Sequence, residues 1–332
     1  YCFFKEFFFF LKKYAFLFPG QGAQFPGMIR DICDNYSVAN ECLDEISDIT
    51  NLDIKKILWE SDSQQLSRTD CSQIAITAAS LTIAKTLKSF EIEPDLCGGF
   101  SLGEFPALYL SGVLSFKDTI LVVKRRGEIM QQVCQNIANK SQGVPPGMAA
   151  VVGLPPEKVI ELCASCNDVY AANMNSQKQT VVSGTAAGLA EMETLCKDAG
   201  ARRFVPLAVA GPFHSPLMKE AAIQFEKEIE PIQFNDTKTL LLSNVTGGLV
   251  TNGNVIKKNL VSHLTKPVLW TKEEAVLGEL IQKENESNLV EWKIFEVGPG
   301  KVLSGLWRDT EFNNTIQVQP INTAENIESI VK

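Results

Sequence analysis

A parallel α/β domain interrupted by a smaller inserted βαββαβ unit is the fold this sequence predicts. Three observations predict it. An apolar, β-prone segment at residues 14–18 stops abruptly at Pro19-Gly20-Gln21-Gly22, and ligand loops of open α/β sheets sit at such carboxyl ends. A second buried segment breaks into a helix through Gly99-Phe100-Ser101-Leu102-Gly103. Between Pro145-Pro146-Gly147 and Ala210-Gly211-Pro212 the periodicity alternates in the order βαββαβ, the ferredoxin-like pattern.

Taken in order, residues 14–18 form the first strand and helical patterns follow through residue 66. Residues 70–90 carry Ile74, Thr77, Leu81, Ala84 and Leu87 at helical spacing. Pro94 precedes a strand at 95–100, and 102–110 reads as helix until Gly112. Residues 116–137 form a further helix bearing Arg125, Arg126 and Met130. The inserted unit has strands at 148–152, 169–173, 179–183 and 202–206, with helices at 155–166 and 186–199. Residues 240–244 and 293–297 return to the parent sheet, and Gly298-Pro299-Gly300 turns into a last helix. The expected division is a discontinuous large domain (14–136 and 209–320), a small subdomain (137–208) and an extension (1–13).

Composition narrows the function classes. The chain has 332 residues, 45% hydrophobic and 21% charged, the balance of an ordinary globular protein. Its net charge of −8 argues against a nucleic-acid partner, which needs basic stripes. Lys124-Arg125-Arg126, Arg202-Arg203 and Lys257-Lys258 read as solvated faces. Nine scattered cysteines fit a reducing compartment and no disulfide framework. Cys163-Ala164-Ser165-Cys166 has no second pair and no nearby histidine, so it reads as helix packing; no metal site is expected. The apolar run at 7–11 is too short to span a bilayer, and no membrane association is expected. The chain begins at Tyr1, which reads as a fragment or processed form.

The chemistry gathers around Ser101. Gly-x-Ser-x-Gly between a strand and a helix describes a nucleophile elbow, a tight turn that lifts the serine hydroxyl into the open. A serine needs a base at neutral pH, and the chain has only His214 and His263. His214 lies in the loop Gly211-Pro212-Phe213-His214-Ser215-Pro216 and is the candidate base; His263, in a helical stretch, reads as structural. No aspartate is required, because a backbone carbonyl can hold an imidazole in its working tautomer. Arg126 offers a rigid fork for a carboxylate if its guanidinium faces a pocket.

A set of ordered motifs then accumulates: Phe18-Pro19-Gly20-Gln21-Gly22-Ala23-Gln24, the elbow through Phe105, Arg126-Gly127, Phe213-His214-Ser215-Pro216-Leu217-Met218, Ser243-Asn244-Val245, Pro267-Val268-Leu269-Trp270 and Glu296-Val297-Gly298-Pro299-Gly300. Together they resemble the malonyl-CoA:acyl carrier protein transacylases of fatty-acid synthesis, over residues 14–308. The resemblance implies a hydrolase-like α/β domain with a ferredoxin-like insertion. It implies a malonyl ester on Ser101, His214 as general base and then acid, and an oxyanion hole from the Gln21 and Leu102 backbone amides. It implies that Arg126 pairs with the malonyl carboxylate and that a carbonyl of the Pro-Val-x-Trp segment, placed at Leu269, orients the histidine. Gln73, Met130 and Asn173 match pocket positions, and Phe213 resembles the malonyl-selective members.

The implied reaction is two-step transfer from malonyl-CoA to the phosphopantetheine thiol of an acyl carrier protein, with no cofactor and a monomeric enzyme. Bacterial members usually have histidine where Phe100 stands. Phenylalanine there resembles the mitochondrial relatives of animals, so a mitochondrion is expected, with plastid or cytoplasm as alternatives. Two rivals stay open on the residues alone: a serine esterase or lipase-like hydrolase, and a non-catalytic module that only docks a carrier protein.

Overall fold

Side-chain alternation along the first strand decides the layering. In a computed structural model that describes residues 11–141, 143–286 and 289–332, β1 (Leu11–Phe18) turns Phe16 and Phe18 to one core and Ala15 and Leu17 to another. A strand buried on both faces belongs in the middle of a covered parallel sheet. That is its place in the sheet order β10-β9-β1-β2-β7-β8, formed with β2 (Leu96–Gly99), β7 (Leu240–Ser243), β8 (Gly248–Val250), β9 (Val290–Val297) and β10 (Val318–Ile321). All pairs are parallel except β7 with β8. From β1 the chain adds β2, β7 and β8 in succession on one side and then β9 and β10 on the other. The order therefore reverses at β1, and the crevice beyond its carboxyl end is the expected ligand position.

The large helices Thr69–Lys88 and Phe116–Lys140 cover one face, and Trp270–Asn285 and Val302–Trp307 the other. Helix Thr69–Lys88 is buried along most of its length, as a helix apolar or small-polar all round must be.

The inserted unit has its own sheet, order β4-β5-β3-β6, from β3 (Gly147–Val152), β4 (Val169–Ser176), β5 (Gln179–Gly184) and β6 (Arg203–Pro206). Every pairing in it is antiparallel, and the helices Pro156–Ser165 and Ala186–Asp198 complete the βαββαβ order. Met148, Ala150, Ala172 and Val181 join the main core, while Ala149, Val151 and Val182 pack against the unit's own helices through Val159 and Met192. The alternation at period two thus fastens the small sheet to the large domain. Cys163 and Cys166 lie in this second cluster, with Cys166 Sγ 3.9 Å from Met192 Sδ.

A backbone seam fixes the inserted sheet to the segment that precedes helix Trp270–Asn285: Met174 N–H donates to the Val268 carbonyl and Val268 N–H to that of Ala172 (3.0 and 2.9 Å). Two expectations need correction. The helix after Gly300 is not the last element, because β10 follows and extends the sheet, and a helix, Ala324–Val331, comes after it. The elbow helix begins as one 3-10 turn, Ser101–Gly103, before Glu104–Leu110. Most of the expected extension, residues 1–10 with the phenylalanine run, lies outside the described residues.

Candidate active site

The elbow is built by contacts too close for side chains. A Cβ on Gly99 would stand 2.0 Å from the Gly103 carbonyl oxygen, and one on Gly103 would stand 2.0 Å from that of Phe18. The glycines therefore let the turn close on itself and press against the end of β1. Ser101 at its apex has φ 52°, in the left-handed region, the strained geometry of a nucleophile elbow. Phe100 packs edge-on against Trp270, ring centroids 5.5 Å apart. An apolar ring at this position thus serves the core beneath the sheet.

Ser101 Oγ lies 2.8 Å from His214 Nε2, and His214 Nδ1 lies 2.8 Å from the backbone carbonyl of His263. A carbonyl only accepts, so Nδ1 carries the proton and Nε2 is left to accept from the serine hydroxyl. Burial, and then the charge of Arg126, push the His214 imidazole down to about 4, so it is neutral at physiological pH. A neutral, oriented imidazole on a serine hydroxyl is the arrangement that activates a nucleophile.

The carbonyl partner corrects an expectation. It was expected at Leu269, but the carbonyl of Leu269 instead receives Lys272 N–H and Glu273 N–H at the start of helix Trp270–Asn285. His263 caps the preceding helix, Gly253–Ser262, and that helix end aims its carbonyl at the imidazole. The His263 ring is fully buried, 4.9 Å from the His214 ring, with Nδ1 3.6 Å from Glu104 Oε2. Burial raises the Glu104 carboxyl to about 8 and holds His263 well below the ordinary imidazole value. The contact is therefore between neutral groups and is not an ion pair.

Ser101, His214, Gln21, Leu102, Arg126, Gln73, Met130, Asn173 and Phe213 all line one cavity of about 180 Å³ between the two sheets. Arg126 is 1% exposed and hydrogen-bonded through Nη1 to Gln73 Oε1 (2.8 Å), while its Nε and Nη2 have no protein partner. Its pKa is lowered by burial to about 10, leaving it cationic, with its guanidinium 5.3 Å from the Phe105 ring. A buried cation with two unused donors in a cavity calls for an anionic group of the ligand. Arg125, its neighbour, pairs with Glu128 and Glu228 on the surface; only one of the two arginines turns inward.

Sequence reasoning left several residues of this region without a role. Asn244 accepts the Ser101 N–H and donates to the Gly99 carbonyl (2.6 Å each). Its motif was visible; its target was not. Asn175 and Gln179 line the cavity and bond to each other. Ser183 on β5 donates to the Phe213 carbonyl and so ties the histidine loop to the inserted sheet. Among the described residues no group of three or more His, Cys, Asp or Glu is arranged to hold a metal ion, and no helix is long and apolar enough to cross a membrane.

Fold and constellation together define an acyl transferase, and the acyl transferase domain family matches residues 15–285. Among curated proteins the chain is 37% identical over 304 residues to the malonyl CoA-acyl carrier protein transacylase of Haemophilus influenzae, covering 89% of this chain and 91% of that one. It is 34% identical to its counterpart in Bacillus subtilis, over 97% of each chain. Among solved structures, an acyl carrier protein S-malonyltransferase of Vibrio cholerae superposes with a TM-score of 0.83 at 32% identity, covering 96% and 99% of the two chains. A malonyl-transacylase solved in complex with a type II PKS acyl-carrier protein gives 0.83 at 31%, with the same coverage. The chain belongs to the malonyl CoA-acyl carrier protein transacylase family.

Proposed function

We infer that this enzyme transfers a malonyl group from malonyl-CoA to the phosphopantetheine thiol of an acyl carrier protein, through an ester on Ser101. The observation that carries the reading is the shared cavity, which is lined by both the activated Ser101 and by Arg126 with its two unpartnered donors. In the first step His214 Nε2 takes the serine proton while Oγ attacks the thioester carbonyl. The carbon–sulfur bond then breaks, and the imidazolium protonates the leaving CoA thiolate. In the second step His214 deprotonates the incoming thiol, whose sulfur attacks the ester, and the proton returns to Ser101. The amides of Gln21 and Leu102 are assigned to the developing oxyanion, a contribution typically worth about 10²–10³ in rate. Arg126 is assigned to the malonyl carboxylate. Nucleophile, base and counter-cation are all side chains of this protein, so the cycle as read needs no cofactor.

Intact mass spectrometry tests the scheme. Incubation with malonyl-CoA is expected to add one malonyl group to the wild type and none to Ser101→Ala, and carrier protein in its pantetheinylated form should remove the label. Release as free malonate without carrier, at a rate matching transfer, would establish the hydrolase instead. We further propose that the enzyme acts as a monomer in a mitochondrion, with plastid or cytoplasm as alternatives, the compartment resting on Phe100 alone. Size-exclusion chromatography and cell fractionation test these two points.

A further inference from the structure

We propose that Asn244, backed by Glu273, is the positioning residue that holds the nucleophile elbow in its left-handed conformation. The proposal rests on the reading of Ser101 as nucleophile. Asn244 follows the last residue of β7 and is fully buried. Beyond the last β2–β7 ladder pair, Cys97 with Leu241, its side chain continues the contact between the strands. Its amide group makes three bonds: Oδ1 accepts Ser101 N–H (2.6 Å), and Nδ2 donates to the Gly99 carbonyl (2.6 Å) and to Glu273 Oε1 (3.0 Å).

These three bonds settle the orientation of the amide. Ser101 N–H offers only a donor and the Gly99 carbonyl only an acceptor, so a flipped amide would oppose like groups at both. Glu273 is fully buried, burial raises its carboxyl well above the ordinary value, and its Oε1 stands behind Asn244 as the acceptor of the second Nδ2 proton. The Asn244 backbone is fixed as well, because its carbonyl accepts Leu269 N–H at 2.9 Å. One side chain thereby grips the elbow on both sides of the bend, at Gly99 and at Ser101. The grip fixes the direction of Ser101 Oγ toward His214 and turns the next amide, Leu102, toward the cavity. Asn244 touches no reacting atom; its effect passes through Ser101.

Single-turnover malonylation tests this. Asn244→Leu keeps the branched outline of the side chain and removes all three bonds. At saturating malonyl-CoA its labelling rate is expected to fall on the order of 10²-fold. The half-saturating concentration should stay within about twofold, because the cavity and Arg126 are untouched. A labelling rate within about threefold of wild type, or a loss carried by weaker donor binding, would overturn the proposal. If Asn244→Leu does not fold, the Glu273 pair decides. Glu273→Gln keeps an acceptor for Asn244 and is expected to retain more of the rate than Glu273→Leu; equal rates refute the relay. A wild type that takes no label would instead overturn the underlying reading of Ser101.

Discussion

Ser101 Oγ and His214 Nε2 meet at 2.8 Å, and both residues hold left-handed backbones, φ 52° and 57°. Neither is glycine, and such a backbone costs an L-residue roughly 1–2 kcal/mol. Strain of this kind survives only where surrounding contacts over-determine it. The clash-tight glycines and Asn244 supply those contacts at Ser101, and the Ser183 bond to Phe213 and the His263 carbonyl supply them at His214.

Strain at Ser101 separates two inactive variants. Ser101→Ala and Ser101→Gly both lose the hydroxyl, so that loss cancels between them. Glycine relieves the left-handed backbone and alanine does not. Ser101→Gly is therefore expected to be the more stable, by about 1 kcal/mol, in urea denaturation. Equal stabilities would mean that the strain relieved is no larger than the extra backbone entropy glycine loses, roughly 0.5–1 kcal/mol.

Arg126 should govern acyl selectivity. Removing one partner of a buried charge pair costs roughly 3–5 kcal/mol, so Arg126→Ala is expected to slow malonyl transfer by at least about 10²-fold. Acetyl transfer, with no carboxylate to bind, should change far less. Parallel assays with malonyl-CoA and acetyl-CoA check this, and an equal loss for both removes the carboxylate role.

The pH profile follows from His214. With the imidazole held at about 4, the base stays available as pH falls from 7 to 5, and acylation should fail only as pH drops through about 4. The Arg126 charge is one cause of this depression, after burial. Arg126→Ala should therefore move the acid limb to higher pH. Stopped-flow acylation with acetyl-CoA across the acid range gives the measurement. An acid limb that does not move would mean that the guanidinium does not bear on the imidazole.

Glu104 predicts a stability slope. Burial raises its carboxyl from the ordinary 4.5 to about 8, so between those values the folded chain holds a proton that the unfolded chain releases. Stability is then present below 4.5 and is lost as pH rises toward 8, at up to about 1.4 kcal/mol per pH unit for one proton. Glu104→Gln cannot ionise, and its stability should fall less between pH 5 and pH 8. Urea midpoints at the two pH values give the comparison; parallel curves would show that Glu104 is ionised in the fold.

Much of this was legible from spacing. The Ser101 elbow, the His214 loop and Arg126 stand in separate parts of the chain, yet each carries its own local signature of glycines, prolines or helix position. The βαββαβ insertion shows in its alternating periods, and the observed strand order follows. Short β8, and β10 beyond a 3-10 turn, left too little pattern to read. The histidine-orienting carbonyl belongs to His263, six residues before the Leu269 that the family resemblance implies. Every residue has a carbonyl, so its identity leaves no trace in side-chain chemistry.

The chain order alone determined which groups exist and what each is able to do: one elbow hydroxyl, two imidazoles and a pair of adjacent arginines. Tertiary structure decided which backbone oxygen meets His214, that Asn244 reaches across from a neighbouring strand, and which buried groups are neutral. The reason is physical. Donor and acceptor types are properties of residues, whereas burial, proximity and protonation state arise only when distant segments share one low-dielectric space.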